Sequence, residues 1–325
     1  MTSTSPADAD RVAASAAVVA PRTAAVTPSG LIFSLGSYVL GGFLPVYFLL
    51  LAPTGPFEIV AYRILFSLAF CALLLTVMRG WGRVLALVRK PRIMLIVAAA
   101  GVLIYINWQV FVVAVTSGHV VEGALGYFIN PLFTVLLGVI FLHERLRPAQ
   151  WVAVGISAVA IVIIAVGYGT FPWIALVLTA SFGLYGFIKK REGGQVDALS
   201  GLTLETAWLA PVAVLTLIIV SNVGGLTLVG DGPWHVVLLV LVGVATGVPL
   251  LLFAAAASRL PLIAIGLTQY LTPVLQFVIG VVFLGEAMST TRWIGFVLVW
   301  VALIVLTVDL VGAARAQRRA SRATV

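Results

Sequence analysis

Long hydrophobic segments recur along the chain, separated by short stretches rich in charge, glycine or proline. An apolar run of about 20 residues is long enough to cross the hydrocarbon core of a bilayer as a helix. The pattern predicts ten such spans, at about 31–51, 57–78, 92–115, 119–142, 149–167, 171–188, 200–221, 234–257, 261–284 and 290–311. Composition agrees, because 62% of the 325 residues are hydrophobic and only 9% are charged. We therefore expect an all-α membrane protein.

The two halves of the chain resemble each other at a fixed offset of 142 residues. Pro131 corresponds to Pro273, and further matches are Gly138 with Gly280, Glu144 with Glu286 and Trp151 with Trp293. Each copy holds five predicted spans, and an odd number makes the second copy enter the membrane from the opposite side. We predict two inverted five-helix repeats, as in many secondary transporters. The predicted segments are a disordered cytoplasmic tail at 1–29, repeats at 30–169 and 170–311, and a basic cytoplasmic tail at 312–325.

The basic residues predict an orientation in the membrane. With the N-terminus inside, 17 of the 19 lysines and arginines fall in cytoplasmic tails and loops, Arg292 falls outside, and Arg63 lies within a span. This asymmetry is typical of the cytoplasmic side of inner-membrane proteins. The sequence thus predicts a multi-pass protein of the cell membrane with both termini in the cytoplasm. The net charge of +8 is read as an orientation signal and not as a nucleic-acid surface.

Polar and small residues form a stripe along the fourth predicted span. Glu122, Tyr127 and Asn130 fall within an arc of about 140° at 100° per residue. Asn130 and Pro131 lie near the middle of the span, and the ninth span repeats the design with Gln269, Thr272, Pro273 and Gln276. Because proline removes a helical hydrogen bond, we predict helix breaks at Pro131 and Pro273. The stripes either line a central cavity or pack helices together.

Three of the charged residues inside predicted spans are candidates for a role in transport. Arg63 and Glu122 have matching depths, so we expect them to pair directly or through water, unless Arg63 extends to the headgroups instead. Glu205 stands 142 residues after Arg63, and its expected partner is Arg259 or Lys190. Glu122 and Glu205 are candidates for proton coupling, since burial raises the pKa of a carboxyl group. A purely structural ion pair is the alternative.

Other polar residues carry weaker signals. Asn107 and Trp108 interrupt the third span and Tyr185 the sixth, where they either line a path or each satisfy one hydrogen bond. Glu144 and Glu286, at the ends of the fourth and ninth spans, are expected to cap neighbouring helix starts or to pair locally. No phosphate-binding loop or zinc-protease motif is present, and the three histidines are scattered, so we expect no enzyme, no cofactor and no metal site.

The run from Glu122 to Leu132, with Asn107 and Trp108 upstream, resembles the RarD branch of the EamA-domain drug/metabolite transporters. Similar motifs follow at 204–206, 246–249, 269–273 and 283–286, so that the resemblance covers about residues 30 to 311. It implies ten helices, two inverted EamA repeats and secondary transport of small metabolites or drugs. Carried over by position, the matched polar and aromatic residues are Arg63, Asn107, Trp108, Glu122, Tyr127, Asn130, Glu205, Gln269 and Tyr270.

These observations favour a secondary active transporter, more specifically an exporter of a small metabolite, amino acid or drug-like molecule that works by alternating access. A non-transporting scaffold or ligand sensor and a passive channel are the alternatives. The predicted substrate path consists of Asn107, Trp108, Tyr127, Asn130, Tyr185, Gln269, Tyr270, Thr272 and Gln276. The expected partners are a small-molecule substrate and the lipid bilayer, with proton coupling as one option and no nucleic acid. Sequence alone determines neither the substrate nor the oligomeric state.

Overall fold

The computed structural model describes residues 27–323 with gaps at 143–145, 169–170, 192–194, 229–230, 258 and 261–267. The described helices are α1 (Pro28–Leu49), α2 (Pro56–Val77), α3 (Trp81–Val88), α4 (Pro91–Thr116), α5 (Val120–Leu142), α6 (Pro148–Tyr168), α7 (Trp173–Arg191), α8 (Ala198–Val223), α9 (Pro233–Ala257), α10 (Leu271–Val278) and α11 (Thr290–Ala323). A π-helical turn, Ile279–Phe283, extends α10. Most of the predicted tail at 1–29 lies outside the described residues.

Ten of the described helices are apolar enough to correspond to the predicted spans. Eight are long enough by themselves to cross a membrane, whereas α7 and α10 with its π turn are shorter apolar helices. The protein is therefore an all-helical, multi-pass membrane protein, as expected. Two details differ from the prediction. The break at 79–83 leads into an additional short helix, α3, and α11 continues through most of the predicted tail at 312–325.

Local sequence explains where several helices begin. Pro28, Pro56, Pro91 and Pro233 each stand at the first position of a helix, where a backbone N–H would lack a partner in any case. The carboxylate of Asp197 accepts a hydrogen bond from the Ser200 N–H at 3.0 Å and so caps α8. These residues therefore mark the points at which the helices begin.

The helices pack with an internal two-fold relation. The first repeat consists of α1, α2, α4, α5 and α6, and their counterparts are α7 to α11 in the same order. Three helices pack directly against their own counterparts: α2 on α8, α5 on α10 and α6 on α11. The remaining large contacts occur as corresponding pairs: α1–α9 with α4–α7, α5–α7 with α1–α10, and α2–α9 with α4–α8. The core therefore lies between the repeats and not within each of them.

Counterpart helices run in opposite directions. Glu58, in the first turn of α2, accepts a hydrogen bond from the Thr227 N–H beyond the end of α8 at 2.9 Å. Arg147, just before α6, forms a 2.7 Å salt bridge with Asp309 near the end of the apolar part of α11. An axis in the membrane plane requires this antiparallel arrangement, so the predicted inversion of the repeats is confirmed.

Two glycines at corresponding positions separate neighbouring helices by different distances. Gly101 in α4 and Gly243 in α9 are 142 residues apart. A Cβ atom added to Gly101 would lie 3.5 Å from the Glu205 carbonyl oxygen, an ordinary contact. A Cβ atom at Gly243 would collide with the backbone of Phe66 and Ser67. The α2–α9 contact therefore requires glycine, and the corresponding α4–α8 contact does not.

Candidate functional site

Arg63 lies in the middle of the helix bundle on α2, and only 5% of its surface is accessible. Its guanidinium carbon is 4.2 Å from the centre of the Trp108 ring on α4 and 5.5 Å from that of Phe48 on α1. The buried Nε and Nη1 atoms have no hydrogen-bond partner among the described residues. Aromatic faces, and not a carboxylate, thus surround this cation.

The predicted contact between Arg63 and Glu122 is wrong as a direct pair. Within the part of the chain that the structure describes, no salt bridge joins Arg63 to any acid. Glu122 instead accepts a hydrogen bond from the Ile174 N–H at 3.1 Å, at the start of α7. The carboxylate therefore faces a helix N-terminus, where the partial positive charge favours it. The alternative, in which Arg63 reaches the headgroups, does not fit a side chain that is this deeply buried.

Asn107 connects three helices next to Arg63. Its Nδ2 atom donates to the Leu178 carbonyl at 3.2 Å and to Ser181 Oγ at 3.1 Å, both on α7. Its Oδ1 atom accepts a hydrogen bond from the Tyr127 hydroxyl at 2.9 Å. The side-chain amide of Asn107 is satisfied on both sides, so it holds α4, α5 and α7 together.

Glu205, the counterpart of Arg63, has partners. Its side chain on α8 is 1% accessible, and Lys189 Nζ lies 2.7 Å from its Oε1 atom. The Tyr185 hydroxyl donates to Oε2 at 3.2 Å. Lys189 stands four residues after Tyr185 and therefore shares its helix face. Lys190 or Arg259 as a partner stays a prediction, because the side chain of Lys190 lies outside those that the structure describes.

These side chains form one group, which we call the central cluster. It consists of Arg63, Asn107, Trp108, Tyr127, Phe182, Tyr185, Lys189 and Glu205. Edge-on and stacked ring contacts run through it, with Tyr127 to Phe182 at 5.8 Å and Phe182 to Tyr185 at 6.1 Å between ring centres. Five helices from both repeats contribute, so any movement of one repeat against the other must rearrange the cluster.

Glu286 caps the start of α5. Its Oε1 atom accepts from the Val120 N–H at 2.6 Å and its Oε2 atom from the Val121 N–H at 3.0 Å. Burial raises the pKa of the Glu286 carboxyl above its usual value, and the two N–H hydrogen bonds act in the opposite direction. The expected capping role is confirmed for Glu286, whereas Glu144 lies outside the described residues.

The described polar side chains of the two stripes contact neighbouring helices. Thr272 Oγ1 donates to the Tyr38 carbonyl at 2.8 Å and Gln276 Nε2 to the Gly41 carbonyl at 3.4 Å, so the stripe of α10 packs on α1. The stripe of α5 packs on α7, where Asn130 Oδ1 would lie 3.1 Å from a Cβ atom at position 183. Each stripe thus contacts the first helix of the other repeat, as in the packing interpretation.

The two prolines of the repeat behave differently. Helix α5 continues through Pro131, so the predicted break there is wrong. In the second repeat a turn at Gln269 and Tyr270 precedes α10, and the Thr272 N–H donates to the Gln269 carbonyl at 3.3 Å. Pro273 follows this turn and sits in the first turn of α10. Tyr270 itself packs in a separate apolar cluster with α11.

The sequence pattern does not single out several residues that lie at the site. Phe48, Phe111 and Phe182 surround the polar groups, but an aromatic residue in a hydrophobic span gives the same signal as a core residue. The sixth predicted span ends at residue 188, so the sequence places Lys189 in a cytoplasmic loop. The spacing of Tyr185 and Lys189, four residues apart on one helix face, was the signal that could have found it.

Both halves of the chain match the EamA-like transporter family, at residues 28–166 and 171–308. This double match and the inverted helix arrangement define the class: a membrane transporter with two EamA repeats. A solved crystal structure with 19% sequence identity aligns with a TM-score of 0.56 over 85% of this chain and 96% of that chain, and at this identity it supports the fold alone.

Comparison with curated relatives identifies the branch of this transporter class. The chain is 44% identical to Protein RarD of Streptomyces exfoliatus, over 89% of this chain and 91% of the relative. It is 37% identical to Protein RarD of Escherichia coli, over 91% and 98%, and 38% identical to an uncharacterized transporter of Vibrio cholerae, over 90% and 96%. The chain therefore belongs to the EamA-like transporter family, in the RarD branch of the drug/metabolite transporter superfamily.

Proposed function

We propose that this protein is a secondary active transporter that exports a small metabolite, amino acid or drug-like molecule across the cell membrane by alternating access, with both termini in the cytoplasm and no enzymatic reaction. The observation that carries the proposal is the central cluster, in which charged and aromatic groups from both repeats meet inside the bundle. Charged residues within membrane spans are costly and usually serve a substrate or ion path.

Two corresponding contacts suggest how access alternates. On one side Asn107 of α4 holds Ser181 of α7 at 3.1 Å, and on the other Ser37 Oγ of α1 donates to the Pro249 carbonyl of α9 at 2.7 Å. The repeats are inverted, so these contacts belong to opposite ends of the two-fold relation. In our proposal one contact opens while the other stays closed, and the central cluster faces each side of the membrane in turn.

Glu122 and Glu205 are our candidates for proton coupling. Glu122 accepts a hydrogen bond from the Ile174 N–H through one oxygen, and a glutamine can keep that bond through its amide oxygen. Glu122→Gln should therefore leave folding intact while it abolishes transport or uncouples it from a pH gradient. Transport against a pH gradient at the wild-type level would remove Glu122 from the mechanism.

Counterflow in proteoliposomes tests the transport proposal. One relative is named Chloramphenicol-sensitive protein RarD, so labelled chloramphenicol is one probe and L-phenylalanine a second. A carrier accelerates uptake of the label when the vesicle interior is loaded with the same compound. A channel gives uptake without this stimulation, and a scaffold or sensor gives none. Vesicles without the protein serve as the control.

A further inference from the structure

The Arg63 guanidinium lacks an anion. A buried cation is costly unless it is paired, and cation–π contacts offset only part of that cost. Nε and Nη1 of Arg63 are buried without hydrogen-bond partners among the described residues, and Trp108 and Phe48 cover the group. The counterpart position shows the opposite situation, because Glu205 is bound by Lys189 and Tyr185. The protein therefore has the means to pair a charge at a corresponding position, yet within the described residues no acid contacts Arg63.

We propose that Arg63 is the receptor for a carboxylate of the substrate, and that the substrate is a small monocarboxylate with an aromatic ring. The proposal rests on the transport function above and specifies its substrate class. Arginine presents a planar fork of N–H donors that matches a carboxylate in two parallel hydrogen bonds. When the repeats part, an entering carboxylate provides the negative charge that the closed protein does not place next to Arg63.

One cation without a partner favours one negative charge on the ligand. A phosphate monoester carries close to two charges at neutral pH and is commonly held by more than one cation. The other cation of the central cluster, Lys189, already lies 2.7 Å from Glu205 Oε1. A monocarboxylate therefore fits the charge of the site better than a phosphate. Because Lys189 already neutralises the Glu205 carboxylate, the site does not require an amino group on the ligand.

The surroundings of Arg63 favour an aromatic body. Phe48 and Phe111 have ring centres 6.2 Å apart, Phe111 and Tyr127 5.6 Å, and Tyr127 and Phe182 5.8 Å. This continuous row of rings leads from the guanidinium toward Tyr185. A ligand ring can contact the row edge-on or stacked, in the way that the protein rings contact one another.

Isothermal titration calorimetry of the purified protein in nanodiscs tests the proposal. The probe is 3-phenylpropionate, compared with the neutral 3-phenylpropionamide, the cationic 2-phenylethylamine and sodium chloride. We expect the carboxylate to bind and the amide, which has nearly the same shape, to bind about 10- to 100-fold more weakly, since a hydrogen bond to a charged group contributes on that scale. Equal binding of acid and amide would overturn the proposal, and this comparison requires no variant.

Variants locate the site. Arg63→Gln should weaken binding of 3-phenylpropionate about 10- to 100-fold, and Arg63→Lys should fall between it and the wild type. The control is Arg89→Gln, an exposed arginine after α3, which should bind as the wild type does. Unchanged binding by a folded Arg63→Gln would place the carboxylate elsewhere. If that variant does not yield folded protein, Arg63→Lys serves in its place, and wild-type affinity would contradict the assignment.

Three further results separate an inorganic-anion site, a failure of this inference alone and a failure of the transport function alone. If chloride at millimolar concentration displaces 3-phenylpropionate completely, the site is an inorganic-anion site and the organic substrate class is wrong. If proteoliposomes exchange chloramphenicol or L-phenylalanine but binding ignores the carboxylate, transport stands and this inference fails. If 3-phenylpropionate binds through Arg63 but no probe shows counterflow, with 3-phenylpropionate itself included, the anion site stands and the transport function fails.

Discussion

Arg63 and Glu205 occupy corresponding positions on α2 and α8, helices that pack against each other across the two-fold relation. Glu205 has a lysine at 2.7 Å and a tyrosine hydroxyl at 3.2 Å. Arg63 has two aromatic rings and, in the described part of the chain, no acid. The repeats thus share a backbone arrangement but not its chemistry. One half of the cluster is thus an ion pair, whereas the other half is, in our proposal, the receptor for an external anion.

The largest expected effect comes from removing the ion pair between Glu205 and Lys189. Glu205→Ala removes the acceptor of Lys189 Nζ and of the Tyr185 hydroxyl. We expect a loss of about 3 kcal/mol in the free energy of unfolding, at the low end for a broken buried pair because Lys189 is partly exposed. Thermal unfolding in detergent measures it as a lower midpoint. The double variant Glu205→Ala/Lys189→Met should recover part of the loss, and a single variant as stable as the wild type would contradict the pairing.

The second effect concerns the glycines at corresponding positions. Gly243→Ala should cost about 1–3 kcal/mol, since the new methyl group meets the backbone of α2, which cannot move aside cheaply. Gly101→Ala is the matched control and should lie within about 0.5 kcal/mol of the wild type, because its methyl group reaches only ordinary contact distance. Unfolding midpoints of both proteins in one detergent provide the comparison. Equal midpoints would show that the two helix contacts are equally tight.

The third effect concerns Arg63. Arg63→Met removes a cation that has no acid, so the protein should be as stable as the wild type or more stable by about 1 kcal/mol. This outcome is opposite in sign to that of Glu205→Ala. Thermal unfolding without ligand measures it, with Arg89→Met as the control for loss of a charge. A large drop in the unfolding midpoint would mean that Arg63 has a stabilising partner in the folded state.

The smallest effect compares the contacts on the two sides of the cluster. Ser37→Ala removes the hydrogen bond to the Pro249 carbonyl and should cost about 1 kcal/mol. Ser181→Ala, 144 residues after Ser37, should cost less, because Asn107 Nδ2 keeps its bond to the Leu178 carbonyl. Denaturant or thermal unfolding of both variants ranks them. The reverse order would show that the Asn107 contact is the stronger of the two.

Much of the site was predictable as a set of residues, but not as a set of contacts. Arg63, Asn107, Trp108, Tyr127, Tyr185 and Glu205 all belong to the central cluster. The neighbours of the α5 and α10 stripes were not predictable, since Thr272 and Gln276 donate to carbonyls of α1. A helical wheel shows which residues share a face, but it does not show which neighbouring helix that face meets.

The apolar spans, the repeat and its inversion can all be read from the order of residues. A span must match the thickness of the bilayer, and an odd number of spans in each repeat inverts the second copy. The partners of the buried charges depend instead on how the helices pack. Depth can be counted at 1.5 Å per residue, so Arg63 and Glu122 looked matched, but the rotation of each helix about its axis depends on packing against all its neighbours. That rotation turned Glu122 to the start of α7 and left Arg63 among aromatic rings.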